Sequence, residues 1–305
     1  MAEFVIGIPT FRRPKGLGRL LDALAKIDTD ADIRVVVADN DARDRQGFDL
    51  CQRIKSTYRF PLDAIIVAER GIAQARNTLV SHALDDSGMR FLAMLDDDEW
   101  PSRRWLSELL RVQRETNADA VEGPVAGVHQ GETLSDFEGV AKARLRSGAV
   151  EMLEGAGNVL VARDALESLP RPWFDPAFAL TGGEDTDFFI RLKKAGARFA
   201  WAADALATTE IPASRMGLAW MLSRAFSVGN SDMRILLKHE PGSRALAREA
   251  AKIAGALLLS PVLFLILLAS PNRRARASRT FFRALGKLAA LCGSTYHEYA
   301  VIHGE

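Results

Sequence analysis

The first half of the chain alternates between two hydrophobic rhythms. Short, β-branched apolar runs stand at Phe4–Ile8, Ile33–Val37, Ala64–Val67 and Phe91–Leu95. Between them lie longer stretches with apolar residues at helical spacing, Leu17–Ile27, Phe48–Tyr58, Ile72–Leu84 and Trp105–Thr116. The short runs are apolar throughout instead of alternating in and out, which predicts strands covered on both faces. That is the signature of an α/β fold with a mostly parallel, Rossmann-like sheet. Sheets of this kind bind ligands at the carboxyl ends of their strands.

The second half is less regular. Ala118–Val128 and Gly157–Val161 read as further strands, separated by an Arg-rich segment, Lys142–Arg146. The stretch "TGGEDTDFFIRLKKAG" predicts a turn that opens a helix; "RFAWAA" follows as a strand-like run, and then comes "ATTEIPASR". From about Lys238 the character changes again, with an uncharged run at Ile253–Ala269 that contains Pro261. Arg273, Arg274, Arg276 and Arg279 come directly after it. This shift predicts two domains, 1–235 and a helical 236–305.

Composition narrows the class without naming it. At 305 residues, 48% hydrophobic and 26% charged, the chain has enough apolar content for a sizeable core. Forty Lys and Arg against 39 Asp and Glu argue against nucleic acid as a partner. The two cysteines, Cys51 and Cys292, are far apart and lack neighbouring ligands, so a reducing compartment is expected. Met1-Ala2-Glu3 lacks a basic region, and no secretory leader is expected.

The chemistry gathers where the strands end. Pro9-Thr10-Phe11-Arg12-Arg13 follows the first, Asp39-Asn40-Asp41 the second and Glu69-Arg70-Gly71 the third. The fourth runs into Asp96-Asp97-Asp98-Glu99. Four adjacent acids repel one another, so they imply either a solvated turn or a cation. Asp96 and Asp98 stand at alternate positions, a spacing that lets two carboxylates share a hard divalent ion such as Mg²⁺ or Mn²⁺. Gly182-Gly183-Glu184-Asp185 opens a helix; its acids either cap that helix or offer a carboxylate as general base. "ERGIAQARN", Glu69–Asn77, also opens a helix after a strand. There Arg76 and the Gly71 backbone are either ordinary surface features or contacts to a nucleotide. No Walker A loop, G-x-G-x-x-G or H-E-x-x-H is present, and the five histidines (His82, His129, His239, His297 and His303) show no metal-ligand spacing.

Taken in order, "VIGIPTFRRP", "VVVADND", "RGIAQARN", "FLAMLDDDEWP" and "TGGEDTDFFIRLKKAG" resemble glycosyltransferase family 2, the inverting nucleotide-sugar transferases of GT-A fold. "LDDDEWP" and "EIPASR…WMLSRAFSVGN" are most similar to the bacterial exopolysaccharide glucosyltransferases of the succinoglycan type. The resemblance implies a nucleotide-sugar donor, most simply a UDP-sugar, and a glycan or polyprenyl-linked acceptor. It assigns Pro9, Thr10 and Asp39 to the uracil pocket, and Gly71 and Arg76 to the neighbourhood of the nucleotide. Asp96 would face the ribose and share with Asp98 a Mg²⁺ or Mn²⁺ ion. Asp185 would be the base, with Glu184 beside it. Where many members supply a metal-binding histidine, this chain reads Thr208-Thr209-Glu210, so Glu210 is the candidate third ligand. A nucleotidyltransferase acting on sugar 1-phosphates is the alternative enzyme, but "IPTFRRPKGLG" lacks the glycine pattern of its phosphate loop. A non-catalytic membrane-bound scaffold is the other alternative, against which the intact acids count.

A nucleotide-sugar enzyme works in the cytosol, and this bears on the tail. Ile253–Ala269 is at the short limit for a spanning helix. A single crossing would put the four arginines outside, against the positive-inside tendency. The expectation is a segment that bends at Pro261, dips into the cytoplasmic face of the inner membrane and returns. The amphipathic stretch from Arg279 to Gly293 would then lie along the anionic surface.

Overall fold

In the computed structural model, residues 2–134, 146–266 and 270–296 are described. Strands β1 (Phe4–Thr10), β2 (Ile33–Asp39), β3 (Leu62–Ile66) and β4 (Phe91–Met94) pair in parallel in the order β3-β2-β1-β4. Phe4 stands in register with both Ile33 and Phe91. Successive side chains along these strands enter different cores. Phe4, Ile6 and Ile8 join Val35, Val37, Phe91, Ala93 and Leu95 on one face, whereas Val5 joins Val36, Ala38, Leu92 and Met94 on the other. Two buried faces explain why the runs carry no polar alternation.

Helices Pro14–Leu24, Gln46–Ile54 and Trp105–Thr116 cover the first face. Helices Ile72–Asp85, Arg163–Glu167 and Glu184–Lys194 cover the second, with Phe174, Phe188 and Phe189 as the bulk of that core. Beyond β4 the sheet becomes mixed. β6 (Ala120–Glu122), β9 (Gly148–Val150), β10 (Val159–Ala162) and β11 (Phe199–Trp201) complete the order β3-β2-β1-β4-β10-β6-β11-β9, with β10 antiparallel to β4. A second sheet, order β5-β12-β7-β8, is formed by β5 (Glu99–Pro101), β7 (Val125–His129), β8 (Glu132–Thr133) and β12 (Ala207–Glu210). The parallel half is the one the hydrophobic pattern predicts. Of the Arg-rich segment, 142–145 lie outside the described residues.

The chain separates into two compact units, one of residues 1–179 and 185–211, the other of 180–184 and 212–304. This differs from a boundary at 235, which falls inside the helix Leu218–His239. That helix belongs with the tail because it crosses Pro271–Leu291 at a distance only glycine allows. A Cβ on Gly229 would fall on the carbonyl oxygen of Arg283, and one on Gly286 on that of Phe226. Asn230 Nδ2 also donates to the Ser294 carbonyl at 2.8 Å. Between these helices in sequence runs Ser243–Ile266, which continues through Pro261 to Ile266 instead of ending or turning back there. The chain returns in a separate helix that has Pro271 in its first turn, where a missing N–H costs no hydrogen bond. Residues 267–269 of the apolar run, and His297 and His303, lie outside the described residues.

Candidate active site

The acids after β4 do not behave as one charged patch, because Asp97 and Glu99 are buried while Asp96 and Asp98 are partly exposed. Asp97 turns inward and is 6% exposed. It accepts from Thr10 Oγ1 at 2.8 Å, from the Phe11 N–H at 3.3 Å and from Arg13 Nη1 at 3.1 Å. Burial pushes its carboxyl up to about 7, against the pull of Arg13. Glu99 is buried too, and desolvation together with the charges of Asp96 and Asp98 holds it well above the usual carboxylate range. Two of the four acids therefore keep their protons longer than free side chains do, which relieves the repulsion. Asp96 and Asp98 are only partly buried and meet arginines: Asp96 Oδ1 accepts from Arg76 Nη2 at 2.9 Å, and Asp98 Oδ2 accepts at 2.7 Å from Arg13 Nη1, the nitrogen that also reaches Asp97.

Arg76 is 4% exposed, so it is no solvated surface arginine. Its guanidinium lies over the Phe174 ring, 5.7 Å from the centroid, and Phe174 stacks on Phe188 at 4.5 Å. Phe188 is three residues past Asp185 on the helix Glu184–Lys194. Asn77, beside Arg76, clamps Phe174 by donating to its carbonyl at 2.7 Å and accepting from its N–H at 2.9 Å. One aromatic contact thus ties the carboxylate run to the helix that carries the second acidic pair.

The ends of β2 and β3 are joined through side-chain amides. Asn40 Nδ2 donates to the Glu69 carbonyl at 2.7 Å, and its Oδ1 accepts from the Gly71 N–H at 2.6 Å. Gly71 also packs so tightly that a Cβ would approach Ala179 Cβ to 2.6 Å. Asp39 is buried and accepts from the N–H groups of Asp41, at 3.0 Å, and Phe48, at 2.8 Å, so it shapes the turn into the following helix. Pro9 is buried in β1 beside Thr10. Arg12 pairs with Asp41 at 2.6 Å, and Arg70 sits over the Phe11 ring at 4.8 Å.

Glu184 and Asp185 differ in access. Glu184 is buried, whereas Asp185 is partly exposed and accepts from the Thr186 N–H at 2.7 Å. Gly182 and Gly183 precede them with φ of +76° and +96°, backbone angles that suit glycine and that bring the chain sharply into the helix.

Sequence reasoning missed three contributors. Arg13 joins two of the acids, and Glu99 accepts from the Asp96 N–H at 3.4 Å. Gly157 is the third: a Cβ there would lie 2.8 Å from Glu99 Oε1 and 3.0 Å from Asp96 Oδ2. Asn158 locks its loop by accepting from Trp105 Nε1 at 2.7 Å and donating to the Ala205 carbonyl at 2.8 Å. The stretch Gly155-Ala156-Gly157 reads as a simple turn, and only the fold brings it against the acids.

Glu210 stands apart from Asp96 and Asp98. Although β12 pairs with β5, placing Thr209 opposite Glu99, the Glu210 carboxylate meets Arg19 at 3.5 Å and the Gln130 N–H at 3.2 Å. Among the described residues no three His, Cys, Asp or Glu side chains converge into a metal-holding group. Asp96 and Asp98, two residues apart at the end of β4, are both partly exposed and both offer hard carboxylate oxygens. That donor set fits an ion of the Mg²⁺ type, which characteristically takes one or two carboxylates and completes its shell with substrate phosphate and water.

Residues 5–138 match the family model described as glycosyl transferase family 2. Over 251 residues the chain is 36% identical to the succinoglycan biosynthesis protein ExoM of Rhizobium meliloti (strain 1021), which covers 78% of this chain and 77% of that protein. Among solved structures, the mannosyltransferase PcManGT from Pyrobaculum calidifontis, in complex with GDP-Man and Mn²⁺, superposes with a TM-score of 0.65 at 19% identity, over 95% of this chain and 87% of its own. The S. aureus TarS 1-349 structure in complex with UDP gives a TM-score of 0.56 at 16% identity, over 97% and 93%. These likenesses establish the GT-A fold, and with the family match they make the protein a glycosyltransferase: the chain belongs to glycosyltransferase family 2.

Proposed function

We propose that this glycosyltransferase moves a sugar from a nucleoside-diphosphate donor, a UDP-sugar, to a hydroxyl of a glycan or polyprenyl-linked acceptor with inversion at the anomeric carbon. The observation that carries this reading is the meeting of Thr10, Arg13 and Arg76 with Asp96–Asp98 at the carboxyl edge of the parallel strands. Leaving a nucleoside diphosphate builds negative charge on phosphate oxygens, and Arg13 and Arg76 supply fixed cations beside that edge. Asp96 and Asp98 would hold Mg²⁺ or Mn²⁺, a Lewis acid for the departing diphosphate. Glu210 is left out of the ligand set because, among the described residues, it does not gather with Asp96 and Asp98 into a group of three that could hold a metal. Pro9, Thr10 and Asp39 shape the base pocket, and Gly71 and Arg76 border the nucleotide. Asp185 deprotonates the acceptor hydroxyl, which attacks opposite the leaving group; this follows the geometry of inverting glycosidases, with no general acid needed for a diphosphate.

ExoM is named for succinoglycan biosynthesis, which supports a role in surface polysaccharide assembly for this chain as well. The helix Ser243–Ile266 is long and apolar enough to cross a membrane, and its outer half is left uncovered by the rest of the protein. This supports attachment at the cytoplasmic face of the inner membrane, where lipid-linked acceptors are met. The test is transfer from a panel of labelled nucleotide sugars to lipid-linked acceptors by the full-length protein. One donor is expected to be used, with Mn²⁺ or Mg²⁺ required. Asp98→Ala is expected to abolish transfer while circular dichroism stays native. Full turnover in that variant, or in excess chelator, overturns the metal role.

A further inference from the structure

The C-terminal helices distribute their cations unevenly. No acidic residue occurs between Glu249 and Glu298. At the inner end of the helical hairpin the cations still find acids: Lys252 meets Glu249 at 3.1 Å, Lys287 pairs with Glu249, and Arg283 meets Asp232 of the helix Leu218–His239 at 2.7 Å. At the turn end, Arg273, Arg274 and Arg276 make no ion pair among the described residues, and the Arg274 Nε is buried with no partner. Among the described residues, the same end carries the most exposed of the large apolar side chains. Leu258 is 73% exposed and Ile266 71%, with Leu259, Val262, Leu263 and Leu265 exposed between them.

Glu249 pairs with Lys287, and only a few residues separate the helix ending at Ile266 from the one beginning at Pro271, so the two helices run antiparallel. Counting outward from that pair sets Arg276 level with Ser260 and Arg273 level with Leu263. This juxtaposition selects among the ways such an end can meet a bilayer. A single crossing, or a hairpin driven in end-on, would carry three unpaired guanidinium groups into hydrocarbon beside the leucines, where charge is costly. Lying along the interface, the leucines enter the acyl region while the arginines extend to the phosphates. We propose that the hairpin end, residues 258–266 and 273–276, docks side-on into one leaflet of an anionic bilayer, with Arg273, Arg274 and Arg276 holding lipid headgroup phosphates. This rests on the membrane attachment inferred above and adds its orientation and its lipid preference.

Flotation of the full-length protein with phosphatidylcholine vesicles, and with vesicles containing phosphatidylglycerol as well, tests the proposal. Binding to the anionic vesicles is expected to be stronger by a factor on the order of 100, as three interfacial cations imply, and to weaken with salt. Replacing Arg273, Arg274 and Arg276 together by Gln is expected to erase that preference without shifting the thermal transition. Leu259→Asp combined with Leu263→Asp is expected to lose both kinds of vesicle. Equal binding of the wild type to both vesicles, or a triple variant that keeps the preference, overturns the arginine role and leaves attachment standing. Failure to float with either vesicle overturns both. In spheroplasts, the exposed Cys292 is expected to resist a membrane-impermeant maleimide; its labelling from outside would establish a crossing and overturn the side-on orientation.

Discussion

Glu184 and Asp185 are neighbours at the start of one helix, yet solvent reaches the side chain of Asp185 and not that of Glu184. A base must touch the acceptor hydroxyl, so access favours Asp185 over the buried Glu184. Asp185→Asn is expected to lower kcat by about 10²-fold or more, the usual contribution of a general base, with nucleotide affinity nearly unchanged. Glu184→Gln is expected to lower the melting temperature first. A Glu184→Gln protein that folds normally but is inactive, beside an active Asp185→Asn, would reassign the base. Residue-scale burial also explains the acid run. Asp97 and Glu99 support from inside, while Asp96 and Asp98 face the site with arginine partners.

At the scale of elements, the strands place the chemistry and the glycines set the helix spacing. Period-two alternation sends β1, β2 and β4 side chains into two cores, and each strand then delivers its last residues to one edge. In the tail, backbone-to-backbone approach at Gly229 and Gly286 replaces side-chain interdigitation. Gly286→Leu has nowhere to put its side chain except the Phe226 carbonyl, so the helices must part. The expected cost is about 1–3 kcal/mol, as overpacked cores lose, and the full-length protein should show it as a lowered melting temperature. An unchanged transition would mean that the crossing is not what holds these helices together.

For the molecule as a whole, the net charge of +1 conceals local runs of one sign: four consecutive acids at Asp96–Glu99, and Arg273, Arg274 and Arg276 without an ion pair among the described residues. The C-terminal unit is also one packed body. Cutting the chain after Gly242 removes the helix that covers Gly229 and Phe226, and leaves that face of Leu218–His239 bare. Such a truncated protein is expected to aggregate on size exclusion instead of emerging as a soluble enzyme. A monodisperse truncated protein would show that Leu218–His239 needs no partner. Substitutions at exposed leucines, which leave the packing intact, are therefore the cleaner probe of membrane binding.

The sequence by itself determined the parallel half of the sheet, because strands buried on both faces must be apolar throughout and the helices between them must keep a 3.6-residue period. It also placed Asp96, Asp98, Arg76 and Asp185 among the candidates, since ligand sites of α/β sheets lie where strands end. Local pattern could not reach contacts between residues distant along the chain. The pairing of Arg13 with Asp98, the space Gly157 leaves beside Asp96, the engagement of Glu210 by Arg19 and the unit boundary at Ile211 all depend on such contacts. Pro261 makes the same point, since a proline removes one hydrogen bond whatever its setting. Whether the helix ends there depends on what surrounds it, and here the helix continues to Ile266.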